Sequence, residues 1–459
     1  MPRLLLINPS NRHKGLGNIQ PTAFPPLNLP YLAALTPRHY QIEIIDENIE
    51  PFRFKEADVA AITSYTATVN RAYQIADSYR KKNIPVIMGG IHVSMMPEEA
   101  IRYCDAVVVG EAESIWAKVL EDVENHRLQK IYNGKRLDLK DLPIPDRSIL
   151  KNSYYRWGSI QTSRGCPMNC SFCSVSVFNG RSFRRRPLDS VIEELEGIPQ
   201  KWILICDDNI IGYGKEDLEW ARRFFERVIE KKIKKIFFAQ SSIQIGEDKE
   251  FLKLASRAGL RIVFVGMESI DKKTLSAYGK NVNLVRLQNN QYKNLIANIR
   301  KAGILFLGAF VVGGDGEDKS VFDSTLQFIK SSGIDILQVT KLTPLPGTKI
   351  WEKMHQEKRM LNLEYPQAWD DFRFSRILYQ PADMDIEDIY EGYAYLKNNY
   401  FSPLVSAKRT LSTLMNLKSL SSTIIAHKIN KSYKKAFRES DNFHYAQRPD
   451  LIKKFRISG

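Results

Sequence analysis

Cysteine is scarce in this chain: five in 459 residues, beside seven histidines. So few thiols exclude a disulfide-built scaffold and make any clustering of them informative. No apolar run is long enough to span a bilayer, which argues against an integral helical membrane protein. The first residues read as a strand and not as a secretory signal, so a reducing cytoplasm is expected. Hydrophobic residues at 43% and charged residues at 26% suit a soluble globular chain of two or three domains. The formal charge of +15 is uneven, because residues 401–459 hold twelve Lys and Arg against three acids. The excess belongs to the tail and does not mark the whole chain as a nucleic-acid binder.

Three of the five cysteines stand together as Cys166, Cys170 and Cys173, spaced C-x3-C-x2-C after a short apolar run. Clustered thiolates suit a soft metal or an iron–sulfur cluster. A structural zinc site takes four protein ligands, commonly in two pairs. There is no second C-x2-C here, and Cys104 and Cys206 stand alone. A four-iron cube on three cysteines keeps one iron open, as a catalytic metal requires.

Upstream, apolar runs at 4–7, 42–45, 59–62, 86–88 and 106–109 each end in small or polar residues. Helical patterns at 27–35, 69–82, 97–103 and 114–125 alternate with them, which predicts a parallel, doubly wound Rossmann-like sheet. Ligands bind such sheets outside the carboxyl ends of the strands. The Pro-rich, acidic stretch 141–146 reads as a stiff connector.

Downstream, six strand patterns (159–162, 203–206, 235–240, 261–265, 305–312 and 334–341) recur with helices at 188–196, 216–231, 249–258, 290–302 and 319–331. Six such units predict a partial (β/α)6 TIM-type barrel, with its functional groups at the carboxyl ends of the strands. Those ends carry Asp207 and Asp208, Gln240 and Ser241, Glu268, and Gly313 and Gly314. Paired carboxylates can hold an amine or hydroxyls, or simply cap a helix. The four arginines between 181 and 186 read as a solvated basic turn or a phosphate clamp.

The cysteine spacing, with aromatic Phe172 before the last cysteine, resembles the signature of the radical S-adenosylmethionine (SAM) superfamily. The resemblance implies a 4Fe–4S cluster on Cys166, Cys170 and Cys173, with SAM chelated at the open iron. An electron from the cluster would then cleave the sulfonium to a 5′-deoxyadenosyl radical. Implied SAM contacts are Phe172, Asp207, Asp208, Gln240, Ser241, Glu268, Gly313 and Gly314. The run from Gly89 through His92 and Pro97 to Glu113 resembles the cobalamin-binding domain that precedes the barrel in one branch of that superfamily. It implies cobalamin near Ser64, Thr66, Gly89, Gly90, His92, Gly110 and Glu111. The D-x-H-x-x-G motif, whose His replaces the lower base on cobalt, is absent, and His13 and His39 lack its context. A degenerate domain without cobalamin, and a surface role for His92, are the competing readings.

Four parts are therefore expected: a cobalamin-type domain at 1–140, a linker at 141–158, a radical SAM barrel at 159–372 and a basic helical region at 373–459. The resemblance implies methylation of an unactivated carbon from methylcobalamin, with an external flavodoxin- or ferredoxin-like electron donor. The substrate is a lipid, a protein or peptide, or a small metabolite. Ring formation, rearrangement or elimination on the same architecture is the first alternative. A cobalamin or redox sensor that binds nucleic acid or membrane through its basic tail is the second. RNA methylthiolation would want three more cysteines upstream, where only Cys104 lies. Residues 386–400 carry an apolar helical stripe suited to packing on the barrel. The segment 403–437 reads as one basic amphipathic helix, lying on an anionic membrane, binding an acidic macromolecule or covering the open side of the barrel. Residues 448–459 read as a weakly ordered tail.

Overall fold

The computed structural model describes residues 1–10 and 24–447, with side chains as far as Lys435. His13 and the expected tail at 448–459 lie outside the described residues.

The first sheet is built from β1 (Arg3–Asn8), β2 (Gln41–Asp46), β3 (Val59–Thr63), β4 (Val86–Gly89), β5 (Ala106–Val109) and β6 (Ile131–Asn133). All its pairings are parallel, in the order β2-β1-β3-β4-β5-β6. Leu4, Leu5, Leu6 and Ile7 are all fully buried, as a strand covered on both faces requires. Helices α1 (Asn28–Leu35), α2 (Val69–Arg80), α3 (Ile91–Met95), α4 (Pro97–Ala100) and α5 (Trp116–Glu124) supply that cover. The chain order reverses between β1 and β3, and such a switch point opens a ligand crevice at the carboxyl edge. Five of the six strands match the expected runs. The sixth is three residues long, too short to stand out as a pattern.

The second sheet begins with β7 (Trp157–Ile160). A two-residue antiparallel pairing of β8 (Ser163–Arg164) with β9 (Arg184–Arg185) follows. The sheet then continues through β10 (Trp202–Ile205), β11 (Ile236–Ser241), β12 (Leu260–Glu268), β13 (Leu305–Val312) and β14 (Ile336–Lys341). Its strands run in consecutive order from β7 to β14, all parallel, and both end strands remain edges. This is the expected partial barrel of six strands. The chain also forms α6 (Val175–Phe178), α7 (Leu188–Gly197), α8 (Lys215–Glu230) and α9 (Lys249–Ala258). Two short helices, α10 (Lys272–Ala277) and α11 (Asn281–Gln288), were not expected; they precede α12 (Tyr292–Lys301). Then come α13 (Ser320–Ser332) and α14 (Lys349–Gln356).

The basic region forms α15 (Ile386–Tyr400), α16 (Pro403–Leu417) and α17 (Leu420–Gln447). The single helix expected over 403–437 is a hairpin instead, because Lys418 turns left-handed at φ +48°. Leu417 and Ala426 join Ile262, Leu305, Leu307 and Ile336 in one core, so the hairpin packs on the amino-terminal halves of β12, β13 and β14.

Contacts between the two sheets are polar at the edges and apolar at one corner. Tyr155 donates to Asp46 at 2.6 Å. The expected connector is itself packed down, with Leu142, Leu150 and Tyr155 buried. Trp369 and Phe372, from the end of the barrel segment, sit in the core under the first sheet. Trp369 donates to Glu99 at 2.9 Å, and Tyr73 donates to the same carboxylate at 2.7 Å. Truncating Trp369 leaves a cavity and an under-satisfied buried acid. Trp369→Ala is therefore expected to cost about 3–5 kcal/mol, read as a lowered urea midpoint on the first unfolding transition.

Candidate active site

The cysteine loop is pinned at its entry and its middle. At its entry, Thr162 N–H and Ser163 Oγ donate to Asp207 at 2.6 and 2.7 Å. In its middle, Ser171 N–H donates to the Tyr278 carbonyl at 2.9 Å, and Ile350 N–H donates to the Ser171 carbonyl at 3.0 Å. Tyr213 donates its hydroxyl to Cys166 Sγ at 2.9 Å. Burial raises the Cys170 thiol, and it pushes Cys173 up to about 12, with the neighbouring thiols adding to the effect. Three thiolates in this loop therefore need cationic irons to balance them. Among the described residues no three His, Cys, Asp or Glu side chains gather around one ion. A four-iron cube takes one cysteine at each of three corners, and this loop supplies three.

Beside the loop, Lys280 Nζ lies 2.8 Å from Glu268 Oε1. Burial works against the Lys280 charge, but Glu268 and the thiol of Cys170 outweigh it and hold its pKa raised. Glu268 has φ +62° at an irregularity in the β12–β13 pairing. A left-handed carboxylate on a strand end is the kind of strain that collects at functional sites. Gly266 makes room for it, since a Cβ there would stand 2.2 Å from Glu268 Oε1. Asp208 is half-buried, and burial followed by the charge of Asp207 pushes it up to about 7. Gln240, the last residue but one of β11, is half-buried.

Several residues implied as SAM contacts also have structural partners of their own. Asp207 is fully buried and holds Thr162 and Ser163, so it positions the loop and has no free face for a ligand. Ser241 is buried and donates to Asn209 at 3.1 Å, tying β11 to the loop after β10. Gly313 and Gly314 lie against tyrosines: a Cβ on Gly314 would meet the Tyr278 hydroxyl at 2.2 Å, and Tyr379 donates to the Gly313 carbonyl. Phe172 stacks edge-on against Tyr278 at 4.9 Å.

The residues implied for cobalamin lie on the ends of β3, β4 and β5. Ser64 Oγ is buried and has no hydrogen-bond partner among the described residues. Tyr65 is 65% exposed, yet burial and then Cys206 raise its phenol. The ring is open to solvent where the chain leaves β3, while its hydroxyl reaches among the groups that raise it. Arg164, after β7, pairs with Glu113, after β5, at 2.6 Å, and a Cβ on Gly347, after β14, would meet Met95 Sδ at 2.5 Å, so the carboxyl edges of the two sheets face each other across a cleft. Gly90, at φ +101°, lets the chain pass Ser64, whose carbonyl a Cβ would meet at 2.7 Å. Gly110 turns similarly at φ +83°, and Gly89 has room beside Val108. An orphaned hydroxyl and an open aromatic on this edge fit a bound cofactor.

Two of the residues implied for cobalamin have structural partners, and the surface reading of His92 is corrected. His92 is fully buried, with Nδ1 3.2 Å from Thr66 Oγ1 and its ring edge-on to Trp369. It is neither a surface residue nor open to the cleft, and it occupies the Thr66 hydroxyl. Glu111 is buried between Arg164 at 3.5 Å and Arg184, and burial is outweighed by these partners, which keep its pKa low. The arginine run is likewise neither a solvated turn nor a phosphate clamp. Arg184 serves Glu111, Arg185 lies over Trp220 at 4.5 Å, and Arg186 is buried against Glu194.

Residues 160–329 match the model of the radical SAM superfamily, and residues 21–120 match that of the B12 binding domain. The bacteriochlorophyllide d C-8(2)-methyltransferase of Chlorobaculum tepidum is 32% identical over 364 residues, covering 73% of this chain and 77% of that one. The chain belongs to the radical SAM superfamily, in the branch with a B12 binding domain. This radical SAM enzyme is also similar, at 22% identity over 447 residues, to the anaerobic magnesium-protoporphyrin IX monomethyl ester cyclase of Cereibacter sphaeroides. That match covers 87% of this chain and 69% of the cyclase. Its fold matches the cobalamin-dependent SAM radical enzyme OxsB at a TM-score of 0.70 and 14% identity, over 99% of this chain and 75% of that one. The cofactors of the radical SAM enzyme are a 4Fe–4S cluster, SAM and cobalamin. Enzymes of the superfamily draw on an external electron donor.

Sequence reasoning missed Lys280, Tyr213 and Tyr65. Lys280 and Tyr213 reach the loop from far along the chain, which spacing cannot show. Tyr65 lies between Ser64 and Thr66, and its place at a strand end was the available signal.

Glu317 accepts from Gly313 N–H at 2.9 Å and from Ser269 Oγ at 3.0 Å. Burial still pushes it from the ordinary 4.5 up to about 7. The folded chain then holds a proton that the unfolded chain has lost, so this group's contribution to stability falls as pH rises from 4.5 to about 7. The melting temperature of Glu317→Gln is expected to vary less across that window than that of the unaltered chain, by the equivalent of about 3 kcal/mol. Paired thermal melts across the window check this.

Proposed function

We propose that this chain is a cobalamin-dependent radical SAM methyltransferase acting on an unactivated carbon. The observation that carries the reading is that the carboxyl edge of the B12-type sheet meets the carboxyl ends of the barrel strands, where Glu113 pairs with Arg164 at 2.6 Å and Met95 lies against Gly347. The identity of 32% with a C-methyltransferase supports methylation as the outcome. Bound together, the cluster, SAM and cobalamin supply the electron, the organic radical and the methyl group.

The chain's own residues do the rest. Cys166, Cys170 and Cys173 hold three irons and leave the fourth for SAM. Glu268 would accept from the amino group of SAM and Lys280 would pair with its carboxylate. Asp208 and Gln240, on neighbouring strand ends, hold the nucleoside, and Phe172 walls the loop. Ser64, Gly89, Gly90 and Gly110, together with Tyr65, seat cobalamin on the opposite edge. Tyr213 donates to Cys166 and keeps that sulfur oriented.

The cyclase relative carries a second reading, a radical reaction without methyl transfer. Anaerobic turnover with reductant, cobalamin and methyl-labelled SAM separates the two, with bacteriochlorophyllide d as the first substrate in a panel. Label in the product beside 5′-deoxyadenosine is expected; deoxyadenosine with an unlabelled, altered product would overturn methylation. Cys170→Ala should lose iron, cluster absorbance and deoxyadenosine together, as measured by iron assay, optical spectra and chromatography. Lys280→Met should keep cluster absorbance while the KM for SAM rises about tenfold or more, as steady-state deoxyadenosine formation would show.

A further inference from the structure

Helix α16 is largely inside out. Apart from Leu417 at its end, its packed face is polar: Thr413 Oγ1 donates to the buried Asp335 at 2.7 Å, and Arg300 donates to Ser412 Oγ at 3.2 Å. Arg409 lies over the Tyr400 ring at 3.9 Å and donates to the Tyr400 carbonyl. Its outer face carries Leu404, Leu411 and Met415, which are 66%, 58% and 67% exposed. These positions recur at helical spacing, so they form one stripe. The left-handed turn at Lys418 continues the stripe into α17 through Leu420, 67% exposed, and Ile424. A helix that merely covered the barrel would turn its leucines inward and its hydroxyls out.

Charge identifies the occupant. From 392 to 438 the chain has no acidic residue, and Lys408, Lys418, Lys428, Lys431 and Lys434 are exposed along the hairpin. We propose that the α16–α17 hairpin docks this enzyme on the surface of an anionic lipid bilayer, with Leu404, Leu411, Met415 and Leu420 entering the acyl boundary and the lysines meeting the headgroups. An apolar stripe flanked by cations is the pattern that binds such surfaces. A second copy would bring the same cations against themselves across a twofold contact. Single-stranded nucleic acid would want aromatic platforms between the lysines, where leucine and methionine stand. The hairpin packs on the amino ends of the barrel strands, opposite the cysteine loop, so the contact tethers the enzyme and does not feed its cleft.

Flotation of the full chain with vesicles of phosphatidylglycerol and phosphatidylcholine, against phosphatidylcholine alone, tests this. Co-flotation with the anionic vesicles is expected. A Leu411→Glu, Met415→Glu double variant should lose bound fraction about tenfold or more at an unchanged melting temperature. Failure to float with either vesicle, or equal flotation of the double variant, would overturn the proposal. So would a soluble dimer of the unaltered chain that the double variant converts to monomer. A second variant, Lys428→Glu with Lys431→Glu, removes charge from the exposed side alone. It should also lose anionic flotation, and full retention would count against the proposal.

Discussion

The arrangement of the molecule depends on one buried carboxylate. Glu111, at the edge of the first sheet, is held by Arg164 and Arg184 and also accepts from the Leu137 N–H at 2.9 Å. The two arginines stand side by side because β8 pairs with β9. A buried ion pair offsets its desolvation only when its remaining hydrogen-bonding capacity is met. Here the Arg184 guanidinium and the Leu137 amide donate to it, while Arg164, which donates to Glu113 at 2.6 Å, adds its charge from 3.5 Å. Arg164 lies two residues before Cys166, so the contact that sets the first sheet against the barrel also sets the start of the cysteine loop. Cleft and loop are therefore positioned by the same group.

Most of the architecture was legible in the sequence because strands buried on both faces leave unbroken apolar runs. Leu4–Ile7 and 305–312 are of that kind. What failed was short or punctuated: the three residues of β6, α10 and α11, and the helix broken at Lys418. The cysteines were legible because their spacing is local. Asp207 and Asp208 were not distinguishable, since adjacent identical residues carry no mark of which one the fold will consume. Burial decided it, turning Asp207 into a loop anchor. The double glycine was illegible for a similar reason. It makes room for Tyr278, from a different βα unit, a packing role that the sequence does not mark. The arginine run read as surface because charge usually is, but three of its members are spent inside the protein.

Around the cysteine loop, charge is either paired or suppressed. Lys280 has Glu268, while burial favours the protonated forms of Asp208 and Glu317 near neutrality. Cys104 and Cys206, outside the cluster loop, are also pushed up to about 12 by burial and remain thiols. Cys104 lies in the core of the first sheet, whereas Cys206, after β10, is on the site's edge, where a neutral thiol is a weaker nucleophile.

The contact of Tyr278 with the glycine notch has a consequence for how such an enzyme diversifies. Its carbonyl holds Ser171 in the middle of the cysteine loop, while its ring packs against Phe172 and its hydroxyl sits over Gly314. The reactive centre is thus gauged against the fifth barrel strand as a tool is held in a jig. Shifting the loop to suit a new molecule would break this register, and misplacement by about an ångström is enough to cost orders of magnitude in rate. New substrates are more readily accommodated by recarving the opposite wall of the cleft, leaving the machinery that makes the radical untouched.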